Sequence, residues 1–151
     1  MTLRVTAYDP GSRPYAIVTT TTFLPVLYPD QPDGFRVILK DGWLNTTEVT
    51  AEVISWTTAT TQTYLTPSFT FTPGISNIYG TYVAGTIFND TGITLTQISI
   101  AAWSLYDTSP YNDVSTVAML KPNQTITFSH IFGDDMPLSS IHVGVQGIAT
   151  P

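Results

Sequence analysis

Residues 81–128, TYVAGTIFNDTGITLTQISIAAWSLYDTSPYNDVSTVAMLKPNQTITF, decide the fold of this chain. Four runs rich in β-branched and aromatic residues begin within them, at residues 81–88, 94–106, 114–120 and 124–132, and turn-forming residues separate the runs. In the last run large side chains alternate with hydroxyl-bearing ones, so that Phe128 and His130 fall on one face, as in a half-buried strand. Short strands at this spacing predict a β-sandwich or a barrel.

Three pieces of this region resemble a small family of immunoglobulin-like β-sandwiches. Residues 103–107 (WSLYD) resemble its Phe-x-Leu-Tyr-Asp signature, with Trp in place of Phe. Residues 83–89 (VAGTIFN) are similar to its apolar-x-Gly-x-apolar-x-Asn strand, and residues 120–128 (LKPNQTITF) to its Leu-x-Pro-Gly-x-x-x-x-Phe turn and strand. Asn123 replaces the usual Gly, which is a mild departure because Asn tolerates the left-handed conformation. The resemblance covers residues 76–148 and implies a binding or spacer module without catalytic residues.

The sequence therefore predicts an all-β protein, an immunoglobulin-like antiparallel β-sandwich with additional N-terminal strands and an extended arm. Its structural core is expected around Trp103, Leu105, Tyr106 and Phe128, because β-sandwiches bury such side chains between their sheets. Pro73-Gly74 is a strong break signal and suggests a boundary. We expect residues 1–34 to form an arm or edge strands, residues 35–75 an N-terminal β region, and residues 76–151 the sandwich.

The N-terminal segment leaves two alternatives open. Residues 2–8 and 15–23 have strand character, and prolines at 25, 29 and 32 suit an extended connector or an edge strand. The segment is either an arm that adds a strand to a neighbouring subunit or simply the first strands of the same body. Further along, residues 35–40 form a short apolar run before an Asp-Gly turn signal, and residues 47–56 alternate like a strand.

Composition limits the classes of function. Only 11% of the residues are charged, against a usual share of about 25%, so we expect part of the surface to be covered by a partner or by sister copies. The net charge is −6, and four of the five basic residues lie in the first forty positions. An acidic chain with so few lysines is not expected to bind nucleic acid. The absence of cysteine removes disulfides and thiolate chemistry. No apolar signal core opens the chain and no apolar run of about 18 residues occurs, so neither export nor a membrane location is expected.

No catalytic, metal or cofactor site is predicted. His130 falls in phase with the apolar face of its strand and is expected in the core, whereas His142 is expected to face solvent. Ser139, Ser140 and His142 lack the context of a nucleophile elbow. Loop carboxylates that match no calcium-loop spacing are Asp107, Asp113, Asp134 and Asp135.

We therefore expect a structural or interaction protein. Its composition is similar in general character to small bacteriophage virion proteins, above all capsid cement (decoration) proteins, with the major capsid protein as partner and a homo-oligomer as the expected state. The alternatives are a tail accessory protein, or a carbohydrate-binding or adhesive module that uses Trp43 and loop tyrosines. Partner contacts are expected at Leu3, Arg4, Arg13, Tyr15, Ile17, Phe23 and Trp43.

Overall fold

The protein is all-β, as predicted. The computed structural model describes residues 1–28, 33–37, 39, 46–57, 61–104, 113–132 and 136–150. Within these residues ten strands form three antiparallel sheets, and a short 3₁₀ turn at Leu138–Ser140 precedes the last strand. The strands are β1 (Thr2–Tyr8), β2 (Pro14–Thr21), β3 (Glu48–Ser55), β4 (Tyr64–Leu65), β5 (Ser68–Ser76), β6 (Gly80–Phe88), β7 (Thr94–Ser104), β8 (Asp113–Leu120), β9 (Thr125–Ile131) and β10 (Ile141–Thr150).

The chain divides into two compact units, Met1–Thr58 and Ala59–Pro151. The predicted division into residues 1–34, 35–75 and 76–151 differs from these two units, and the break predicted at Pro73-Gly74 does not occur. Both residues lie inside β5, where Pro73 pairs with Val83 and Gly74 with Tyr82. Proline is tolerated there because β5 is the edge strand of its sheet. Gly74 leaves room for the ring of Tyr82, which would have to shift if the residue carried a Cβ, because that Cβ would lie 2.7 Å from the ring.

The N-terminal unit is a three-stranded sheet in the order β2-β1-β3. The extended-arm alternative is wrong for β1 and β2, because they form a hairpin with each other, although β2 does lie at the sheet edge. The carboxylate of Asp9 closes the hairpin by accepting hydrogen bonds from the backbone N–H groups of Gly11 and Arg13, each at 2.9 Å. Of the predicted run 35–40, Phe35 forms an isolated bridge with Thr22, and the Asp-Gly turn that follows lies outside the described residues.

The C-terminal unit contains two sheets, in the orders β4-β10-β7-β8 and β5-β6-β9. The four runs predicted between residues 81 and 132 coincide with β6, β7, β8 and β9. Both sheets contribute to one hydrophobic core, an arrangement consistent with a β-sandwich. The buried members of this core are Ile87, Leu95, Ile98, Ile100, Leu120, Phe128 and Val145.

A β-bulge in β7 keeps its apolar side chains in phase with this core. Gln97 has a φ of +49° and is exposed, and the pairing of β7 with β10 shifts register at this point. The extra residue allows both Leu95 and Ile98 to face the core although they are three positions apart.

Two of the predicted core residues can be placed. Phe128 is buried in the core, and the alternation predicted for its strand is confirmed. Trp103 is also buried, at 4% exposure. Its indole nevertheless lies on the face of β7 opposite to Ala102, and Ala102 belongs to a second buried cluster of this unit that also contains Val83 and Phe132. Leu105 and Tyr106 lie outside the described residues.

The glycine and asparagine of the motif at residues 83–89 have structural roles. Gly85 pairs with Phe71 on one side and Phe128 on the other, and a Cβ there would lie 2.7 Å from the Phe128 ring. The fully buried Asn89 donates from Nδ2 to the carbonyl oxygens of Ile93 and Leu120, each at 2.8 Å. Asn123 adopts a φ of +60°, which confirms the left-handed conformation expected at that position.

Candidate functional site

The structure brings three of the predicted partner-binding residues to one sheet of the N-terminal unit. Arg4 and Ile17 share a face, because Arg4 pairs with Thr19 and Ile17 pairs with Thr6 in alternate rows of the β1–β2 ladder. Tyr15 is the residue that the register of this ladder skips, and it lies at the end of the same face. We call this face the outer face and define it by Arg4, Thr6, Ile17, Thr19, Thr50 and Glu52.

The outer face and its margin expose large apolar side chains. Ile17 is 64% exposed and Tyr15 is 37% exposed. At the other margin Ile54 is 44% exposed, and Trp56, which follows β3, is 73% exposed. The two sets lie at opposite corners of the sheet, because Ile17 is on β2 beside Thr6 whereas Ile54 and Trp56 are on the β3 side near Thr2. Exposed isoleucine and aromatic side chains are typical of surfaces that bind other proteins.

One ion pair crosses the outer face. Arg4 donates from Nε to a carboxylate oxygen of Glu52 on the neighbouring strand. This hydrogen bond and the charge of Glu52 raise the pKa of Arg4 above its ordinary value. Both side chains are about half exposed, at 49% and 55%, so the pair adds little to stability. Because the two charges lie between the apolar margins and neutralise each other, a partner that covers the outer face meets no unpaired charge there.

Leu3 does not belong to this surface, so its predicted role in partner binding is wrong. It is only 6% exposed and lies on the opposite face of β1, together with the buried Val5 and Ala7. The strand alternation at residues 2–8 was visible in the sequence, but which face is buried depends on the hairpin and on β3.

The remaining predicted contacts are scattered. Arg13 is exposed in the β1–β2 turn, and Phe23 is half-buried and donates its backbone N–H to the carbonyl oxygen of Gly34. Trp43 lies outside the described residues. Trp56, to which the sequence analysis assigned no contact role, is 73% exposed directly after β3; its place at the end of the alternating run 47–56 was the available signal.

The candidate chemical residues have structural partners. His130 is 5% exposed, as expected, and its Nε2 lies 3.3 Å from Ser115 Oγ. His142 was expected to face solvent, but it is half-buried because its ring stacks on Trp103 across the β7–β10 pair, with the ring centroids 5.8 Å apart. Ser140 Oγ donates to the Pro137 carbonyl oxygen at 2.7 Å.

Among the described residues, no three His, Asp or Glu side chains come together in a way that could hold a metal ion. Asp107, Asp134 and Asp135 lie outside the described residues. In the described part of the chain no helix has the length and apolar character needed to cross a bilayer.

Comparison of the chain with protein-family models, with curated proteins and with solved structures finds no match.

Proposed function

We propose that this chain is a non-enzymatic structural protein that binds other proteins through the outer face of its N-terminal sheet. The observation that carries the proposal is the exposure of large apolar side chains at both margins of that face, with Ile17 at 64% beside β1 on one margin and Trp56 at 73% after β3 on the other. Desolvating these side chains against a partner would be favourable by about 25 cal/mol for each Å² of apolar area buried. Only 11% of the residues are charged, so few charged side chains offset the exposed apolar surface. Covering that surface with a partner is therefore favoured.

The assembly proposed for this protein is a virion, in which it acts as a capsid cement (decoration) protein or as a tail accessory protein. Its partner in the first role is the major capsid protein. The C-terminal unit, for which we propose an immunoglobulin-like connectivity, serves as a structural module of the assembled particle. Many copies on neighbouring shell subunits would together resist expansion of the shell, because each linked contact raises the effective concentration of the next.

A carbohydrate-binding or adhesive module is the alternative, and one observation favours it. The turn between β5 and β6 carries Tyr79 at 57% exposure beside Ile78 at 81% exposure. An exposed tyrosine ring can stack on the apolar face of a sugar. If this function is the correct one, glycan binding will be lost in Tyr79→Ala and kept in Ile17→Asp.

The test of the proposed function is co-sedimentation of the purified chain with purified virions of the phage that encodes it. We expect saturable binding with a fixed number of copies for each particle. Ile17→Asp places a charge on the exposed apolar margin of the outer face and should weaken binding by roughly tenfold or more, which corresponds to about 1.4 kcal/mol. Since Ile17 is exposed, the variant should fold normally, as circular dichroism can verify.

The matched control is Ile78→Asp, the same substitution at an exposed isoleucine of the other unit. We expect it to leave binding unchanged. Absence of saturable binding, or equal losses in the two variants, would contradict the proposal.

A further inference from the structure

Strand β3 has an unusual surface for the edge of a sheet. All eight of its residues, Glu48–Ser55, are exposed, including Val49 at 52% and Val53 at 45%. In the sheet order β2-β1-β3 only one side of β3 is paired, and among the described residues no strand pairs with the other side. Soluble proteins usually protect such an edge with proline, lysine or a covering segment, because an uncovered edge pairs readily with another strand.

The backbone groups that point away from the sheet can be assigned. Asp9 donates its N–H to Arg13 at 3.0 Å, and the carbonyl oxygen of Met1 accepts from Thr22 at 3.3 Å, so the odd-numbered residues of β1 hydrogen-bond towards β2. The even-numbered residues of β1 therefore face β3, because backbone groups alternate along a strand. Their partners in β3 are Glu48, Thr50 and Glu52. The N–H and C=O groups of Val49, Ala51 and Val53 consequently point to the outer edge.

We propose that this edge pairs with the same edge of a second copy of the chain, antiparallel and about a two-fold axis at Ala51. In this register Ala51 lies opposite Ala51 of the second copy, and Val49 lies opposite Val53 on both sides of the axis. Each of the three residue pairs exchanges two N–H···O bonds, so about six new hydrogen bonds form. The two three-stranded sheets become one six-stranded sheet.

Charge selects this register over its neighbours. A shift of two residues in one direction places Glu52 opposite Glu52, and a shift in the other direction places Glu48 opposite Glu52 twice. Directly opposed like charges destabilise a strand pair. With Ala51 on the axis, each Glu52 lies opposite Thr50 instead. The strand is therefore complementary to itself. A two-fold contact between identical chains requires this self-complementarity, whereas a contact with an unrelated strand does not require it.

The paired edge also removes apolar surface from water. Val49 and Val53 lie on the same face as the buried Leu3 and Ala7, with which they pair in β1. In the dimer these two valines would meet their counterparts across the new strand pair and extend the apolar face without interruption. The dimer contact is made by the edge of the sheet, whereas the proposed function uses its outer face. Pairing of the edges is therefore a property of the free chain and separate from the proposed function.

Cysteine cross-linking tests both the pairing and its register. The chain has no cysteine, so a single introduced thiol reports only on itself. In the proposed register the two Cα atoms at position 51 are about 5.5 Å apart, within the range of roughly 4.4–6.8 Å that a disulfide spans. Ala51→Cys should therefore give a covalent dimer under mild oxidation.

The matched control is Ser55→Cys, an exposed position on the same strand whose two copies are offset by eight residues, or roughly 27 Å. We expect Ala51→Cys to cross-link roughly tenfold faster or more. Equal rates in the two variants, or faster cross-linking of Ser55→Cys, would overturn the proposed pairing.

Sedimentation of the unmodified chain provides an independent measurement. We expect a concentration-dependent dimer that is lost in Ala51→Pro, because proline removes an outward N–H without removing a bond to β1. Thr19→Pro, on the edge of β2, should leave the dimer intact. A wild-type chain that stays monomeric up to its solubility limit would overturn the inference. A dimer that also fails to bind virions would leave the edge pairing supported and the proposed function contradicted.

Discussion

Gly85→Ala is the substitution that should damage the C-terminal unit most for its size. Gly85 faces the core of β6 and pairs with Phe71 on β5 and with Phe128 on β9. An added Cβ would overlap the backbone carbonyl oxygen of Thr70 and would lie 2.7 Å from two ring carbons of Phe128. The phenylalanine ring can rotate or shift, but the Thr70 oxygen can move only if β5 separates from β6.

The magnitude follows from the kind of atom that must move. Overpacking a core by one methyl group usually costs 1–3 kcal/mol, and a backbone obstacle belongs at the upper end, so we expect a loss of about 3 kcal/mol. For a unit of the size of Ala59–Pro151, each kcal/mol of lost stability lowers the melting temperature by about 4–8 °C. The expected decrease is therefore about 12–24 °C.

Urea and thermal unfolding followed by circular dichroism measure this loss. The control is Gly92→Ala in the same unit, where a Cβ meets nothing within 4 Å but the φ of +74° strains any other residue. That strain should cost about 1 kcal/mol. If Gly85→Ala is as stable as the wild type, or less destabilised than Gly92→Ala, the packing described for this sheet is incorrect.

Two further predictions concern the turn that follows β6. Asn89→Ala should destabilise the C-terminal unit by about 2 kcal/mol in urea unfolding, because the carbonyl oxygen of Leu120 loses its hydrogen bond from the buried amide while that of Ile93 retains the one from Thr91 Oγ1; a loss below about 1 kcal/mol would show that water replaces the amide. Hydrogen bonds from the side chain and the backbone N–H of Ser68 lower the pKa of Asp90. The Asp90 carboxylate therefore stabilises the fold at pH values above its unfolded pKa of about 3.9. This stabilisation is lost as the pH falls through the lowered pKa of the folded state. Asp90→Asn should therefore show a shallower decline of melting temperature in acid, and identical slopes would contradict this role.

Local patterns predicted much of the C-terminal unit. The period of two in residues 124–132 was sufficient to place Phe128 and His130 inside, because β9 forms a regular ladder with β6. Asn123 was recognised as a turn residue from its tolerance of a positive φ, a property of the residue itself. Such features depend on a few neighbouring positions and can be read from the sequence.

Features set by distant partners could not be predicted in this way. Pro73 was interpreted as a break because nothing local shows that β5 is an edge strand, where its missing N–H has no consequence. Leu3 was assigned to a binding surface because the burial of its face depends on the hairpin with β2. Trp103 was correctly expected to be buried, but an extra residue at Gln97 changes the phase of β7 and so decides which face its later side chains occupy.

Hydrogen–deuterium exchange of the chain, free and bound to virions, tests the central claim most directly, since it locates the contact surface without any substitution. The account predicts that peptides from β2 (Pro14–Thr21), which carry Ile17, become protected on binding. Peptides from the β5–β6 turn, which carry Ile78 and Tyr79, should exchange at unchanged rates. Protection of the β5–β6 turn without protection of β2, or no protection of either, would contradict the assignment of the outer face as the binding surface.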